Sequence, residues 1–513
     1  MRMPLLLLTL MGFTLGRGAA FAQDSTRVEA SPEKSPVQVF TELGLSGSTS
    51  RRTPFWLYTN QNGIIPNSSP FITARAGIKA NYGLGRIPLP DPEMGKRRRA
   101  SWGYGLEVAA NLTQKSEVFM PEMYVHGKLR GLELLVGRRR EMIGLADSAL
   151  GTGSYIWSGN ALPMPKIQLA LYDYTPIGFT KGLLAFRGMF AHGWFGNQGP
   201  VTHSYLHQKA LYGRLGKPSW RIRLYGGFNH QVQWGGRSKV ITNDELIKNG
   251  RFPGGFRNYL NAVTGLSLAA KGDAIDTTEY SKNDRGNRVG NHLGTIDLGV
   301  EINAETFSLL FYRQNVYEDG SLYYLTNIAD GLNGIRYRNH RAATPTWQIR
   351  TAVVEFLYTK SQGGATFSYI DKYRGADNYF NHGQYIDGWS YRGRTIGTPF
   401  IPAATDTDPT LPRPSTGQFP FFTNNNRLWV VHAGLAGRFR QTFFWLKCSY
   451  SDNFGTYLKP FPKTTRQFSS LLMVSFPVAI WGGMHSTVSV ATDQGKLYTQ
   501  STGLLVSLRK TWH

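Results

Sequence analysis

The chain has 513 residues, with 57 Lys and Arg against 33 Asp and Glu, a formal net charge of +24 and a pI near 10.0. Its single cysteine, Cys448, excludes an internal disulfide and a cysteine-built metal site. Beyond the amino-terminal segment no apolar run reaches the length of about eighteen residues that a membrane-crossing helix needs.

The composition suits a different membrane architecture. A load of 58 Gly, 26 Tyr, 29 Phe and 12 Trp fits many strands joined by tight turns, with aromatic rings at two lipid interfaces. The mean hydropathy of -0.30 agrees with this, because only alternate residues of a barrel strand meet lipid.

In chain order, Met1 and Arg2 precede an apolar run from Leu5 to Leu15 and then Ala20-Phe21-Ala22. This pattern reads as a signal peptide over residues 1–22, cut before Gln23; the run is too short for the alternative, a helical anchor. Residues 23–36 are polar and proline-spaced and form an expected flexible leader. Residues 37–70 are expected to hold a strand from Val37 to Gly47 and a short helix between Arg51 and Gly63, as a plug or a rim. For an exported chain, the positive charge points to polyanions outside the cytoplasm: acidic polysaccharide, or the phosphates of outer-membrane lipid. Export argues against nucleic acid as a partner, and solvated strands and turns without any partner are the plain alternative.

From Phe71 to the end of the chain, residues 71–513, a hairpin rhythm takes over. Trp220, Ile222, Leu224 and Phe228 alternate with Arg221, Arg223, Tyr225 and Asn229, and Ile296, Leu298, Val300 and Ile302 alternate with Asp297, Gly299, Glu301 and Asn303. Tyr104, Leu106 and Val108 do the same, and the interleaved Glu107, Asp297 and Glu301 are expected to face a polar lumen. A soluble two-layer sheet would need a covering layer of helices that the sequence does not offer. Long connections are expected over Gly85–Ala100, with its Lys96-Arg97-Arg98-Arg99 run, over Arg237–Asn291, with short helices at Asp244–Lys248 and Asn258–Val263, and over Pro399–Pro420. Ser501–Leu508 with Trp512 has the pattern of a terminal strand read by the outer-membrane barrel assembly machinery. With about ten residues per membrane strand, the expected fold is an all-β transmembrane antiparallel β-barrel of about 18 strands, or 16, with long extracellular loops and only short helices.

The search for chemistry finds no HExxH, GxSxG or phosphate-cradling GxxxxGK[ST] motif, so no catalytic centre, metal or cofactor is expected. His203 and His207 stand four apart, a metal spacing only on a helix, and the context is strand. Sugar rings pack their C–H faces on aromatic rings, hydroxyls pair with amides and acids, and anionic groups take arginine forks. On that basis the candidate polysaccharide-binding residues are Trp194, His203, His207, Arg214, His230, Gln233, Trp234, Asp387, Trp389, Arg392 and Arg394. For each tryptophan an interfacial girdle is the alternative role. A porin or anion channel and an outer-membrane hydrolase are the rival functions.

Several of these stretches carry a resemblance. PFWLYTNQNG (Pro54–Gly63), YLHQKALYGR (Tyr205–Arg214), GFNHQVQWGG (Gly227–Gly236), GNHLGTIDLG (Gly290–Gly299), FYRQNVYEDGS (Phe311–Ser321), NYFNHGQYIDGWSYRGRTIGTPF (Asn378–Phe400) and RLWVVHAGLAG from Arg427 resemble the Wzi family of capsule-assembly outer-membrane proteins in its Bacteroidetes-type form. The resemblance implies an outer-membrane barrel of about eighteen strands that acts as a lectin, holding capsular polysaccharide at the cell surface, and has no catalytic centre; the positive charge adds that the polysaccharide is acidic. It also implies capsule-export components as partners. Better studied members carry a periplasmic helical bundle near the amino terminus, and the present sequence has at most the one short helix between Arg51 and Gly63.

Overall fold

The computed structural model describes residues 37–86, 98–268, 276, 278–286, 288–318, 321–366, 375–416, 419–479 and 482–513. The expected signal peptide and leader, and most of the Gly85–Ala100 connection, lie outside the described residues.

Eighteen antiparallel strands form one sheet. They are β1 (Val37–Ser48), β2 (Phe71–Arg86), β3 (Arg98–Leu112), β4 (Glu117–Leu129), β5 (Leu132–Arg138), β6 (Lys166–Pro176), β7 (Leu184–Trp194), β8 (Tyr205–Leu215) and β9 (Ile222–Trp234), then β10 (Asn291–Asn303), β11 (Phe307–Tyr317), β12 (Gly331–Asn339), β13 (Gln348–Tyr358), β14 (Leu428–Phe439), β15 (Thr442–Gly455), β16 (Pro460–Val478), β17 (Met484–Gly495) and β18 (Ser501–Trp512). Each pairs with its sequence neighbours, and β1 pairs with β18 from Val39↔Trp512 to Ser48↔Gly503. That last pairing closes the barrel and leaves no free edge. No helix among the described residues is long and apolar enough to cross a membrane.

The period-two pattern explains which side each residue faces. Leu224, Phe228, Ile296, Leu298 and Val300 are exposed on the outer wall, where lipid takes the place of a protein core. Their neighbours turn inward, and acids there are paired. Glu107 meets Arg75 at 2.8 Å and Arg140 at 2.6 Å, and Glu301 meets Arg223 at 3.0 Å. Asp297 accepts from the Leu145 amide at 2.9 Å, the Tyr212 hydroxyl at 3.1 Å and the Gln314 amide at 2.9 Å. The three acidic residues face the lumen, as the alternation requires. Aromatic pairs stand near both ends of the wall, such as Tyr82 on Trp102 (4.8 Å) at one end and Trp429 near Tyr450 (5.7 Å) at the other.

The connections are unequal. Residues 49–70, 139–165, 235–290 and 359–427 all leave from one end, while 130–131, 177–183, 216–221, 304–306, 340–347 and 440–441 are short turns at the opposite end. The first is called the long-loop end and the second the short-turn end.

The lumen in the long-loop half is filled. Residues 139–165, between β5 and β6, cross it as a bar whose backbone is held by the far wall. The Thr152 amide donates to Glu355 on β13 at 2.5 Å, the Tyr155 amide to Gln314 on β11 at 2.9 Å, and the Leu150 carbonyl accepts from His432 on β14 at 2.6 Å. Against this crossbar packs α1 (Phe55–Tyr58), where the Phe55 amide donates to Asp493 on β17 and the Trp56 indole to Ser449 on β15. Phe55, Trp56, Tyr155, Ile156, Trp389 and Phe400 belong to one buried cluster inside the barrel. Each such ring contributes roughly 1.5–3 kcal/mol by leaving water.

One expected helix differs. The short helix between Arg51 and Gly63 is the four-residue α1, after which Asn60 and Asn62 adopt φ of 53° and 52° and turn the chain across the lumen. Asp244–Lys248 forms a turn in which the Asn243 side chain accepts the Glu245 amide at 2.8 Å, whereas Asn258–Val263 lies within α2 (Gly255–Thr264).

Candidate functional site

At the long-loop end, connections 235–290 and 359–427 fold onto each other as a roof. Gln384 donates to Asp284 at 2.9 Å and to the Leu246 carbonyl at 2.7 Å, and Tyr385 stacks on Phe252 at 4.4 Å. The run Thr423-Asn424-Asn425-Asn426 is fully buried, which an amide-rich stretch tolerates only when paired. Asn424 donates to Thr407 at 3.0 Å, Asn425 to Asn453 at 2.8 Å and Asn426 to Asn378 at 2.7 Å. The roof is therefore held by side-chain hydrogen bonds more than by strands.

Between the roof and the barrel rim lies a cavity of about 170 Å³. Arg288 and His292 come from the end of the 235–290 connection and the start of β10, Glu318 from the end of β11, and Asn378, His382 and Phe421 from the roof. Glu318 accepts the Phe380 amide at 2.8 Å. His382 Nδ1 accepts the amides of Gln384 (3.1 Å) and Tyr385 (3.2 Å), and burial holds its ring down at about 4. The imidazole is thus neutral near pH 7 with its proton on Nε2, a hydrogen-bond donor. Arg288 has no ion pair among the described residues. An unpaired guanidinium, a donor imidazole, amides and one aromatic face together suit a ligand with hydroxyls and a negative group.

The fold resembles that of a known outer-membrane barrel. Superposition on Wzi of Escherichia coli, described as an outer-membrane protein involved in group 1 capsule assembly and a carbohydrate-binding β-barrel, gives a TM-score of 0.55 at 13% identity, covering 91% of this chain and 83% of that one. OccAB4 and OccAB2 of Acinetobacter baumannii superpose with TM-scores of 0.43 at 9% and 10% identity, over 94% and 93% of this chain and 100% and 97% of theirs respectively. At these identities the likeness is one of fold. No protein-family model and no curated protein matches the sequence.

The candidate residues named from sequence fall into three places. Trp194, His207, His230 and Trp234 stand on the outer face of β7 to β9, with His207, His230 and Trp234 buried beneath α2 and Trp194 exposed beside it. Trp234 lies 5.0 Å from Tyr205 and 5.4 Å from Tyr259 of the helix, and His207 lies 5.8 Å from Tyr259. His192 packs edge-on to Trp194 at 5.1 Å, and His230 Nε2 meets His292 Nδ1 at 3.0 Å. Lys209, on the same face, donates to the Val263 carbonyl at the end of α2, where a cation complements the helix dipole. His292 reaches the mouth cavity, so this patch backs its wall.

Gln233 and Arg214 face inward. Gln233 donates to Ser204 at 3.0 Å, and the Arg214 guanidinium lies 5.7 Å from the Tyr174 ring. Asp387, Trp389, Arg392 and Arg394 belong to the roof. Asp387 accepts the Val201 amide at 3.1 Å, and burial pushes its carboxyl up to about 6. Trp389 is fully buried, and Arg394 donates to the carbonyls of Tyr58 (3.1 Å) and Ile65 (2.5 Å), so both bind the roof to the segments beneath it. Arg392 is exposed at a turn tip with φ 50°, and His203 is exposed with φ 57° just before β8.

Sequence reasoning passed over Arg288, Glu318, Asn378 and Phe421. Asn378 opens the longest of the resembling stretches and Glu318 lies within another, but nothing in their local pattern sets them apart. Their convergence is a product of loop packing.

Proposed function

We infer that this protein is an outer-membrane barrel that binds an acidic capsular or extracellular polysaccharide at its long-loop, extracellular end and holds it at the cell surface. The observation that carries the reading is the mouth cavity. It combines one unpaired arginine with amide, imidazole and aromatic groups, above a lumen closed by the crossbar. The sequence stretches that resemble the Wzi family run through both walls of that cavity, from Gly290 and from Asn378, and support membership of that family. Trp194, His203 and Arg392 extend the surface around the mouth, and His207, His230 and Trp234, buried beneath α2, back it from the outer wall. Gln233, Arg214, Asp387, Trp389 and Arg394 support it from within. The signal peptide takes the chain to the outer membrane, lipid surrounds the barrel, and binding requires neither a cofactor nor catalysis.

The test is the partition of acidic polysaccharide between washed cells and medium in a deletion strain complemented with the parent chain or with Arg288→Gln. Release of polymer by the deletion, restored by the parent and not by the variant, supports the reading. Unchanged cell-bound polymer in the deletion strain rejects it.

A further inference from the structure

Among the described residues, nothing fills the short-turn half of the lumen. A cavity of about 690 Å³ lies there, within the range of small-molecule sites. Its lining comes from strand ends at that side: Tyr172 and Tyr174 of β6, Arg187 of β7, Tyr225 of β9, Glu301 of β10, and Arg336 and Arg338 of β12, with Arg139, Arg140 and Glu141 of the crossbar above.

Counting charges decides what this chamber can hold. Its three carboxylates are already engaged: Glu141 with Lys166, Asp173 with Lys128 at 3.5 Å, and Glu301 with Arg223 at 3.0 Å and the Tyr225 hydroxyl at 2.6 Å. Arg139 is neutralised by Glu133 at 2.7 Å, and Arg140 by Glu107 at 2.6 Å and Glu122 at 3.2 Å. Arg338 lies 3.9 Å from Asp147. Arg187 and Arg336 on the lining, and Arg214 beside it, have no carboxylate partner among the described residues. Arg187 lies over the rings of Tyr174 (5.1 Å) and Tyr212 (5.0 Å), and Arg214 over Tyr174 at 5.7 Å. Arg214 is 8% exposed and its Nε is buried without a hydrogen-bond partner. Uncompensated guanidiniums inside a protein wall are costly unless an anion from outside meets them.

We propose that this chamber is a second binding site, entered from the short-turn, periplasmic side, for a saccharide of one to a few rings that carries a carboxylate or phosphate. Arg187, Arg214 and Arg336 meet the anionic group, while Tyr172, Tyr174 and Tyr225 offer ring faces and hydroxyls to the sugar. The crossbar makes the chamber a dead end, so the site retains its ligand and does not pass it to the mouth. It does not depend on the mouth reading, since no side chain of the mouth cavity lines it.

The experiment is calorimetric titration of the purified full chain in detergent with a short oligogalacturonate, a neutral oligosaccharide of equal length and inorganic phosphate. Arg288→Gln is used as background so that the mouth is silenced. Acidic-oligosaccharide binding that persists in this background and falls about tenfold or more in Arg187→Gln/Arg336→Gln supports the site. Equal binding of the neutral sugar, an affinity for phosphate that matches the oligosaccharide, or no effect of the paired substitution overturns it. Heat-modifiable gel mobility reports whether the variant barrel is folded. If it is not, the same titration with Arg187→Lys/Arg336→Lys, which keeps the charge and loses the fork, decides: weakened binding supports the site and unchanged binding overturns it. A mouth reading that fails in cells leaves this titration unaffected.

Discussion

The indole of Trp389 donates to the carbonyl of Ile156 at 2.9 Å, joining the roof over the barrel mouth to the crossbar inside it. Both residues are fully buried, so the contact ties two segments 233 positions apart into one packed unit. Trp389→Ala removes the bond and opens a cavity, and is expected to cost about 3–5 kcal/mol. Trp389→Phe keeps most of the packing and is expected to cost about 1–2 kcal/mol. Thermal unfolding followed by gel mobility measures both, and equal losses would show that the hydrogen bond and the ring volume are not separable here.

The crossbar makes a prediction about conductance. The parent chain in a planar bilayer is expected to pass little current, because residues 139–165 and α1 fill the long-loop half of the lumen. Replacing residues 144–160 with a short Gly-Ser linker is expected to open a channel that prefers anions, given the arginines that line the other half. A large steady conductance in the parent chain would favour the porin reading.

Arg288→Gln is expected to weaken binding of an acidic oligosaccharide about tenfold, the size of one charge-assisted contact. Arg288 has no ion pair among the described residues, so barrel stability should be unchanged. Affinity by titration and folding by gel mobility are read on the same sample.

His382 gives the roof a pH dependence. Its ring is held at about 4 against an ordinary value near 6.5, so between these values the folded roof binds fewer protons than the unfolded segment. The stabilisation is complete above about 6.5 and is lost as the pH falls toward 4. The protection factors of the Gln384 and Tyr385 amides, corrected for the intrinsic pH dependence of exchange, should therefore fall over that window, and His382→Asn should flatten the profile.

Trp234→Ala is expected to loosen α2 from the outer wall, since the ring packs against Tyr205 and Tyr259. Limited proteolysis should then cut the 235–290 connection faster while the barrel stays folded. Loss of the barrel itself would mean that the helix is needed for closure.

The wall of the barrel is legible in the sequence because strand alternation is local. Ile222 to Asn229 and Ile296 to Asn303 declare their faces residue by residue, and Glu107, Asp297 and Glu301 follow from them. The crossbar is not legible: residues 139–165 carry no period, and their bonds go to Glu355, Gln314 and His432, far along the chain. The same holds in part for the histidines and tryptophans of β7 to β9. Residue chemistry marks Trp234 and His230 and alternation puts them on the outer face with Phe228, but only the placement of α2 buries them there.

By itself the sequence determined a closed, all-β architecture with an apolar outer wall and a polar lumen, since the period and the glycine turns depend on neighbours alone. The tertiary structure decided which half of the lumen is filled, which arginines are left without a carboxylate, and which loop residues meet at the mouth. Those outcomes rest on contacts between segments tens to hundreds of residues apart, and no local pattern encodes such distances.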